Sequence, residues 1–342
     1  MPDCLPSARL NALTLRKNIP VSVTIELTRR CPLSCRHCYL PETRGRAVAC
    51  AELSTSQWGK ILAQLARAGG LYLVFTGGEP LLRPDLPELC RRAKKLNFDV
   101  RVFSTGLGLT PGLAREFKAA GVSGFEISFY GRPAVHDGIT GLEGSFRRSL
   151  AAARLLKKAG VKVKMKAPLM SLNPGQAGWL KRLAAAEGFG ISFDPVIAPG
   201  NDGDPGNLKY RLSGRRLRSA VKGLSGGPAV AQSAFPAVPD FICGAGRNVC
   251  AVGPDGSLYP CLQLPVKLAG LTGTSFRSAW KNSPWLKKWR RAGMKDLEKC
   301  RACGLKEYCS LCPGISLLEN GDALSPNSAA CALARVQASL KK

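Results

Sequence analysis

Three cysteines near the N-terminus constrain this chain more than any other feature. Cys31, Cys35 and Cys38 lie in the segment Cys-Pro-Leu-Ser-Cys-Arg-His-Cys, directly after an apolar run. A four-iron cube normally takes four thiolates, so three ligands on one loop leave one iron open to a substrate, as in catalytic metal sites. Zinc is the alternative, although it favours four closed ligands, often in paired Cys-x2-Cys knuckles. The x3 and x2 gaps favour an iron–sulfur cluster.

A glycine turn follows the cysteines after about forty residues. The apolar run Leu71–Phe75 leads into Gly77-Gly78-Glu79-Pro80. Two glycines at the end of a buried strand let the backbone approach a ligand closely, and Glu79 offers a carboxylate to a cationic group. A plain strand-to-helix connection has a similar composition, so the turn indicates a binding site only together with the cysteines.

Together the two motifs resemble the signature of the radical S-adenosylmethionine (radical SAM) enzymes. The resemblance implies that the open iron binds the amino and carboxylate groups of S-adenosylmethionine, whose sulfonium is cleaved to a 5′-deoxyadenosyl radical. It implies that Glu79 meets the amino group, and that His37 stands where the family places an aromatic ring against adenine. The implied cofactor positions are His37, Tyr39, Gly77, Gly78, Glu79, Pro80, Ser104, Thr105, Ser128 and Thr140.

Two of these positions depart from the family pattern. Ser104-Thr105-Gly106 stands where Thr-Asn-Gly is common, at the contact with the ribose. Thr140 stands where the sulfatase-maturating relatives carry an arginine for the cofactor carboxylate.

Strand and helix signals alternate from residue 21 to residue 197, which is typical of βα units around a parallel sheet. Six units resemble the α/β fold of the radical SAM enzymes, an open partial (β/α)6 barrel of the TIM type. Both motifs then fall at C-terminal strand ends, where barrel chemistry takes place. The expected strands are Val21–Leu27, Leu71–Phe75, Val100–Phe103, Phe125–Phe129, Val161–Pro168 and Ile191–Val196. The expected helices are Ser54–Ala68, Pro84–Leu96, one that Thr110-Pro111 opens, Phe146–Ala159, Ala177–Ala185 and, after these units, one near Gly214–Lys222.

The fifth strand reads Val161-Lys-Val-Lys-Met-Lys166. With a period of two, one face is apolar and the other carries three lysines. If the apolar face packs on the outer helices, the lysines point into the barrel, and Lys166 lies nearest to the C-terminal rim. An edge strand with its lysines in solvent is the alternative, above all for Lys162. Lys166 is our candidate catalytic residue, because it can meet an anionic group of cofactor or substrate.

A second field of cysteines occupies the C-terminal third. Pro254-Asp-Gly predicts a hairpin turn that lets Cys250 and Cys261 meet. Eight thiolates can close two four-iron cubes, although two zinc sites suit the Cys-x2-Cys spacings equally well. The field consists of Cys243, Cys250, Cys261, Cys300, Cys303, Cys309, Cys312 and Cys331.

This field resembles the SPASM domain, the auxiliary-cluster extension of peptide-modifying radical SAM enzymes. The resemblance implies two auxiliary 4Fe-4S clusters and hence three clusters in the chain. An open ligand position in place of Cys250 is an alternative. The implied ligands are Cys243, Cys250, Cys261 and Cys312 for the first auxiliary cluster, and Cys300, Cys303, Cys309 and Cys331 for the second.

Two departures concern the SPASM resemblance. Cys309-x2-Cys312 is one residue shorter than the usual spacing, which affects how the two clusters share this loop. Leu262-Gln263 follows Cys261 where the sulfatase-maturating enzymes carry an aspartate base. The second departure argues against sulfatase maturation.

Composition limits the partners. The 342 residues carry 50 Lys and Arg against 23 Asp and Glu, a net charge of +27 that favours acidic partners. Charge alone does not exclude nucleic acid, but aromatic residues make up only 7% and no nucleic-acid motif is evident, so this partner is disfavoured. There is neither an apolar run of about 20 residues nor a signal-peptide core, so we expect a cytoplasmic protein without a membrane partner.

The expected organisation has four parts: an N-terminal extension over 1–18, a radical SAM core over 19–200, a Gly/Pro-rich bridge over 201–240, and a SPASM domain with a β-hairpin and short helices over 241–342. No N-terminal peptide-recognition domain is evident, so a leader peptide would need a separate recognition protein. A reductant such as flavodoxin or ferredoxin is expected to supply electrons.

The expected function is oxidative crosslinking of a ribosomally made precursor peptide, which the charge suggests is acidic. One alternative keeps the radical chemistry but acts on a tetrapyrrole or another redox-cofactor precursor, whose carboxylates would suit lysines in the barrel. The other alternative is a basic iron–sulfur protein that binds RNA or transfers electrons without turnover.

Overall fold

The computed structural model describes residues 6–40, 51–224 and 241–341. Within these residues one nine-stranded sheet follows the order β6-β5-β4-β3-β2-β1-β7-β8-β9. All pairings among β1 to β7 are parallel, whereas β8 pairs antiparallel with both β7 and β9. The strands are β1 Ser22–Glu26, β2 Tyr72–Thr76, β3 Asp99–Ser104, β4 Gly124–Ser128, β5 Lys162–Pro168, β6 Gly190–Asp194, β7 Val249–Val252, β8 Ser257–Tyr259 and β9 Ala269–Gly270.

Helices connect the parallel strands, so the expected partial barrel with an α/β architecture is confirmed. Two helices, α1 and α5, are additions to the expected elements. Residues 1–5 of the expected extension and 225–240 of the expected bridge lie outside the described residues. The helices are α1 Pro6–Lys17, α2 Thr55–Arg67, α3 Leu86–Lys95, α4 Pro111–Ala119, α5 Pro133–Thr140, α6 Ser145–Lys158, α7 Gln176–Glu187, α8 Gly214–Leu224, α9 Phe276–Asn282, α10 Pro284–Trp289, α11 Glu298–Arg301, α12 Pro313–Asn320 and α13 Ser328–Lys341.

The first connecting helix, α2, begins directly after a capping residue, Ser54. The Ser54 side chain accepts a hydrogen bond from the Gln57 amide, and the Gln57 side chain accepts one from the Ser54 amide. This reciprocal capping box satisfies backbone donors that a helix N-terminus leaves free. The apolar side chains recur with helical spacing and are buried against the sheet, at Trp58, Ile61, Leu62 and Leu65.

The alternation predicted for the fifth strand is present in β5. Val163, Met165 and Ala167 are buried in the main hydrophobic core. Lys164 and Lys166 are half-buried on the opposite face, where both ammonium groups lie 3.9 Å from the Glu126 carboxylate of β4. The inner face of the barrel is therefore charged at this strand.

The C-terminal segment extends the same sheet. Residues 22–25 of β1 pair in register with Val249–Val252 of β7. The predicted hairpin is present, with β7 and β8 joined through a turn at Pro254–Gly256. Cys250, which lies on β7, is thereby placed directly beside the strand that leads into the N-terminal cysteine loop.

Among the described residues, none of the helices combines the length and apolar character that a membrane-crossing segment requires.

Candidate functional site

A cavity of about 340 Å³ opens at the C-terminal ends of the parallel strands. The N-terminal cysteine loop forms one wall, and the glycine turn after β2 and the ends of β3 to β6 form the others. The predicted site residues that line it are Cys31, Cys35, His37, Cys38, Tyr39, Gly77, Gly78, Ser104, Thr105, Ser128 and Lys166.

The three cysteine thiols are neighbours in this cavity. Electrostatic interactions link Cys31 with Cys38 and Cys35 with both. Burial raises the pKa values of Cys31 and Cys35 to about 12, so these thiols are protonated without metal and would release protons on binding it.

The donor set fits a four-iron cluster with one open corner, because one loop supplies three thiols at the edge of a cavity. Within the described stretches, no three His, Cys, Asp or Glu side chains form a site for a single metal ion. Each thiolate of a cluster binds a different iron.

The two glycines are needed for packing against the cysteine loop. The Gly78 amide donates to the Thr28 carbonyl at 2.8 Å, and the Glu79 amide donates to the Arg30 carbonyl at 2.8 Å. A Cβ on Gly77 would lie 2.2 Å from the Thr28 oxygen, and one on Gly78 would lie 2.3 Å from the Arg30 oxygen. The turn and the loop that leads into Cys31 therefore meet backbone to backbone.

The Glu79 carboxylate is held by hydrogen bonds within the chain, and its expected contact with the amino group of S-adenosylmethionine stays a prediction. Its Oε1 accepts from the Leu81 amide at 3.0 Å and from the Ser104 hydroxyl at 2.7 Å. Its Oε2 accepts from the Thr105 amide at 2.7 Å and from the Thr105 hydroxyl. A carboxylate offers about four lone-pair positions, and these donors occupy them. Burial raises the pKa of this fully buried carboxyl.

Aromatic residues pack against the cysteine loop. The His37 ring meets the Tyr130 ring edge to face with centroids 4.9 Å apart, and the Tyr130 hydroxyl hydrogen-bonds with the Cys35 and Ser128 side chains. Burial lowers the pKa of His37 to about 4, so the ring is neutral near pH 7, and its buried Nδ1 has no partner among the described residues.

Tyr39 also lines the cavity, but its hydroxyl donates to Glu26 at 2.8 Å. Burial raises the pKa of this phenol well above its ordinary value, and the neighbouring Glu26 carboxylate adds to the effect. Tyr39 therefore remains a neutral donor that fastens the cysteine loop to the end of β1.

Two expected cofactor residues, Pro80 and Thr140, do not line this cavity. The Thr140 hydroxyl is buried between the Asp137 carbonyl at 3.1 Å and the Ser145 hydroxyl at 2.7 Å. The Thr140 backbone carbonyl instead holds the cysteine loop by accepting from the Ser34 amide at 3.0 Å. Pro80 is buried at the start of a short 3₁₀ turn. For both residues the expectation came from position along the chain, which does not fix side-chain direction.

Lys166 faces the cavity, as the period of β5 predicts. Its ammonium lies 3.9 Å from Glu126 Oε2 and 4.3 Å from the centre of the Phe103 ring. The side chain is 40% exposed, and no described residue accepts a hydrogen bond from the ammonium within the usual distance. Its three N–H donors are thus available to a bound anionic group.

The first auxiliary thiols lie beside the same cavity. Cys243 interacts electrostatically with Cys261 and Cys312, and Cys250 with Cys261. Cys250 differs from the other three because it belongs to β7 and is fully buried in the main hydrophobic core. These interactions agree with the implied grouping of the four residues.

The loop after Cys261 connects this group to the cavity. Leu262 and Gln263 line the cavity wall, and Gln263 Nε2 is buried without a partner among the described residues. On another wall, Asp194 interacts electrostatically with both Cys312 and Lys166. Burial raises the pKa of Asp194, an effect that Lys166 partly offsets.

The second auxiliary group lies nearer to the surface. Cys309 interacts electrostatically with the other three thiols, and Cys300 with Cys331 and Cys303. Cys303 is exposed, whereas the other three side chains are half-buried. Within the shortened Cys309-x2-Cys312 loop, Cys309 therefore belongs to the second group and Cys312 to the first.

Sequence reasoning missed several residues of the cavity wall. Phe103 and Glu126 lie on the inner faces of β3 and β4, and Tyr130 follows β4. The alternation of β3 and β4 could have placed Phe103 and Glu126 on the same face as the lysines. No local signal marks Tyr130 as the partner of Cys35.

Comparisons with known proteins agree with this geometry. Residues 25–176 match the Radical SAM superfamily, and residues 243–304 match the SPASM family, described as an iron-sulfur cluster-binding domain. The first match contains the N-terminal cysteine loop and the glycine turn. The second contains the hairpin and five of the eight C-terminal cysteines, since three lie beyond residue 304.

Two curated relatives cover most of this chain. The AdoMet-dependent heme synthase of Methanosarcina barkeri is 27% identical over 90% of this chain and 95% of its own length. The PqqA peptide cyclase of Gluconobacter oxydans is 28% identical over 84% of both chains.

Solved structures share the fold. The chain resembles Streptococcus suis SuiB bound to its precursor peptide SuiA, with a TM-score of 0.70 and 16% identity over 94% of this chain and 79% of that one. It also resembles native anSMEcpe with bound AdoMet, with a TM-score of 0.68 and 16% identity over 93% and 95% of the chains. With the two domain matches spanning more than half of the sequence, this chain belongs to the radical SAM superfamily, as an enzyme that carries a C-terminal SPASM iron–sulfur domain.

Proposed function

We propose that this enzyme oxidatively crosslinks a ribosomally made precursor peptide. The similarity to PqqA peptide cyclases from several organisms, at 27 to 28% identity over most of both chains, supports a peptide substrate. The domain boundaries that we propose are 19–200 for the radical SAM core and 241–342 for the SPASM part, with 1–18 and 201–240 as extension and bridge.

The observation that carries the proposal is one cavity with cysteine groups on two sides. Cys31, Cys35 and Cys38 line it directly, and the loop after Cys261 forms another part of its wall. When bound, S-adenosylmethionine and its cluster would supply a 5′-deoxyadenosyl radical for the removal of a substrate hydrogen atom, and the auxiliary clusters would accept the remaining electron. A substrate in this cavity would lie between the N-terminal cysteines and the loop that follows Cys261.

We assign the chain's own residues as follows. Cys31, Cys35 and Cys38 hold the catalytic cluster, and two groups of C-terminal cysteines hold two further clusters, which makes three. His37, neutral because burial lowers its pKa to about 4, offers its ring face to the adenine. Gly77 and Gly78 present backbone groups to the cofactor.

Lys166 orients an anionic group of cofactor or substrate, because its ammonium projects into the cavity with donors to spare. Glu126 and Phe103 hold that ammonium in place from two sides. Ser104 and Thr105 act through Glu79, which they fix at the end of β3. Ser128 lines the cavity and hydrogen-bonds with the Tyr130 hydroxyl.

The partners follow from the chemistry and the charge. We propose an acidic peptide, since the chain carries a net charge of +27. A separate protein would recognise its leader, and a flavodoxin or ferredoxin would reduce the catalytic cluster in the cytoplasm.

A tetrapyrrole is the second candidate substrate. The heme synthase relative is about as similar to this chain as the peptide cyclases are, and this chain spans 95% of its length. A carboxylate of a tetrapyrrole would suit Lys166, whose ammonium faces the cavity.

Parallel incubations test the two substrates. The reconstituted, dithionite-reduced protein receives S-adenosylmethionine with either a short peptide encoded beside its gene or an iron tetrapyrrole that carries peripheral carboxylates. The proposal expects the peptide to lose the mass of two hydrogen atoms while 5′-deoxyadenosine forms in equal amount. A mass change in the tetrapyrrole alone would overturn the peptide assignment.

A further inference from the structure

The short segment that precedes α2 makes contacts with three parts of the catalytic region. Glu52 and Leu53 are the two residues concerned, and no motif of the sequence marks either of them. Their contacts reach the cysteine loop, the turn that follows Glu79, and the hairpin between β7 and β8.

The Glu52 carboxylate contacts the side chains of Thr28 and Arg30, two of the three residues that precede Cys31. Arg30 donates to Glu52 through Nε at 2.9 Å and through a terminal nitrogen at 3.0 Å, a bidentate pair. The fully buried Thr28 donates its hydroxyl to the same carboxylate. Thr28 and Arg30 are the residues whose carbonyls accept from Gly78 and Glu79. Glu52 therefore fixes the side chains of the same two residues whose backbone carbonyls bind the glycine turn.

Arg83 closes the arrangement from the other side. Its guanidinium donates to the Leu53 carbonyl at 2.9 Å and approaches Glu52 at 3.5 Å. It also forms two hydrogen bonds with Asp85, at 2.9 and 2.7 Å, and is only 8% exposed. The turn after Glu79 is thus fixed to the same two-residue segment.

The SPASM hairpin is the third contact. The Leu53 amide donates to the Pro254 carbonyl at 2.9 Å, at the tip of the turn between β7 and β8. A Cβ on Gly256 would lie 3.1 Å from a methyl group of Leu53, so the hairpin and this segment are in close contact.

We infer that Glu52 is a positioning residue for the radical site: it fixes the cysteine loop against the glycine turn, in register with the SPASM hairpin. The inference rests on the proposed ligation by Cys31, Cys35 and Cys38. A misplacement of about 1 Å at a reacting centre can cost roughly a hundredfold in rate. Loss of this partly exposed ion pair should therefore lower the reaction rate by more than the small contribution of the pair to folding stability suggests.

Glu52→Gln tests this inference, and Glu187→Gln is the matched control. Glu187 forms the same kind of bidentate pair, with Arg154 at 3.0 and 2.5 Å, far from the cavity between α6 and α7. In each pair the arginine is 60% exposed, and the carboxylates are 20% and 16% exposed. Arg30→Gln is a second variant that breaks the Glu52 pair from its exposed side, should Glu52→Gln fail to fold.

Three measurements on the full chain decide the outcome. In Glu52→Gln, amide hydrogen exchange over residues 77–83 should accelerate about tenfold in the cluster-free protein, as expected for loss of one charge-assisted hydrogen bond. In the reconstituted protein, the KM for S-adenosylmethionine should rise about tenfold, and the change that this cofactor causes in the electron paramagnetic resonance spectrum should weaken. Iron content, determined beside these three measurements as a control, should equal that of the wild type.

Equal values for Glu52→Gln and Glu187→Gln in all three measurements would overturn the inference. If the wild type bound no iron at the N-terminal cysteines, the proposed function would fail instead. The exchange measurement on the cluster-free protein would then still report whether Glu52 fixes the turn.

Discussion

The amide of Gly78 donates a 2.8 Å hydrogen bond to the carbonyl of Thr28, so the turn after β2 contacts the loop after β1 through its backbone. The neighbouring bond from the Glu79 amide to the Arg30 carbonyl has the same length. Together they place the glycine turn against the segment that leads into Cys31.

Gly78→Ala should therefore disrupt the N-terminal site selectively. The new Cβ would lie 2.3 Å from the Arg30 oxygen and 2.7 Å from the Arg29 oxygen, both of them backbone atoms that cannot swing aside. We expect iron per chain to fall from about twelve to about eight, because one of the three proposed four-iron clusters would be lost. Gly138→Ala is the control, since a Cβ at Gly138 of α5 meets nothing within 4 Å. Full iron content in Gly78→Ala would contradict this packing argument.

His136 makes the stability of the protein depend on pH. The ring lies among Phe129, Tyr130 and Phe146, and burial lowers its pKa to about 4 from an ordinary value of 6.5, although Asp137 opposes the shift. Between these two values the unfolded chain binds a proton that the folded chain does not, so stability rises with pH through this window and is constant above it.

His136→Phe should remove this dependence. The contribution of one residue amounts to at most about 3 kcal/mol between the two limits. Urea unfolding from pH 4.5 to 7.5 measures it, and the slope of stability against pH below 6.5 should be smaller in the variant. An unchanged slope would show that His136 titrates normally in the folded protein.

Lys166→Met should weaken the binding of an anionic group in the cavity. Lys162→Met is the control on the same strand, because Lys162 lies at the other end of β5 and is exposed. We expect a roughly tenfold or greater loss of affinity for S-adenosylmethionine or for the substrate, as for removal of a charged hydrogen-bond donor. Calorimetric titration measures the first affinity and the KM of the modified peptide reflects the second. Equal affinities for both ligands in the two variants would exclude Lys166 from the site.

Cys250→Ser tests the first auxiliary cluster. Cys90→Ser is a close control, because Cys250 and Cys90 are both fully buried cysteines of the main core whose thiol pKa values burial raises. If Cys250 is a ligand, its variant should alter the spectrum of one auxiliary cluster or lose about four irons, whereas Cys90→Ser should keep both. Identical spectra and iron contents in Cys250→Ser and Cys90→Ser would show that Cys250 is not a cluster ligand.

Local patterns were sufficient to predict the barrel and one wall of the cavity. The alternation in β5 placed Lys166 on the inner face because strand residues alternate sides whatever the tertiary context. The contact of the glycine turn with the cofactor stays a prediction, and the structure adds a second reason for its two glycines. The backbone that comes close to Gly77 and Gly78 belongs to residues 28–30 of the chain itself.

Other parts depended on contacts between distant segments. No periodicity reveals that Glu52 binds Arg30 and Thr28, or that β7 pairs with β1 and continues the barrel sheet. Thr140 was expected at the cofactor because of its place in the chain, yet the turn between α5 and α6 draws its hydroxyl toward Ser145. Side-chain direction at such positions follows from tertiary packing.

The central claim is that three thiols hold a cluster with one open iron at which S-adenosylmethionine is cleaved. The most direct test is to quantify 5′-deoxyadenosine after incubating the reconstituted, dithionite-reduced protein with S-adenosylmethionine, beside a Cys38→Ala variant. We expect the nucleoside from the wild type and none from the variant. Absence of 5′-deoxyadenosine from the fully loaded wild type, or equal formation by Cys38→Ala, would contradict the account.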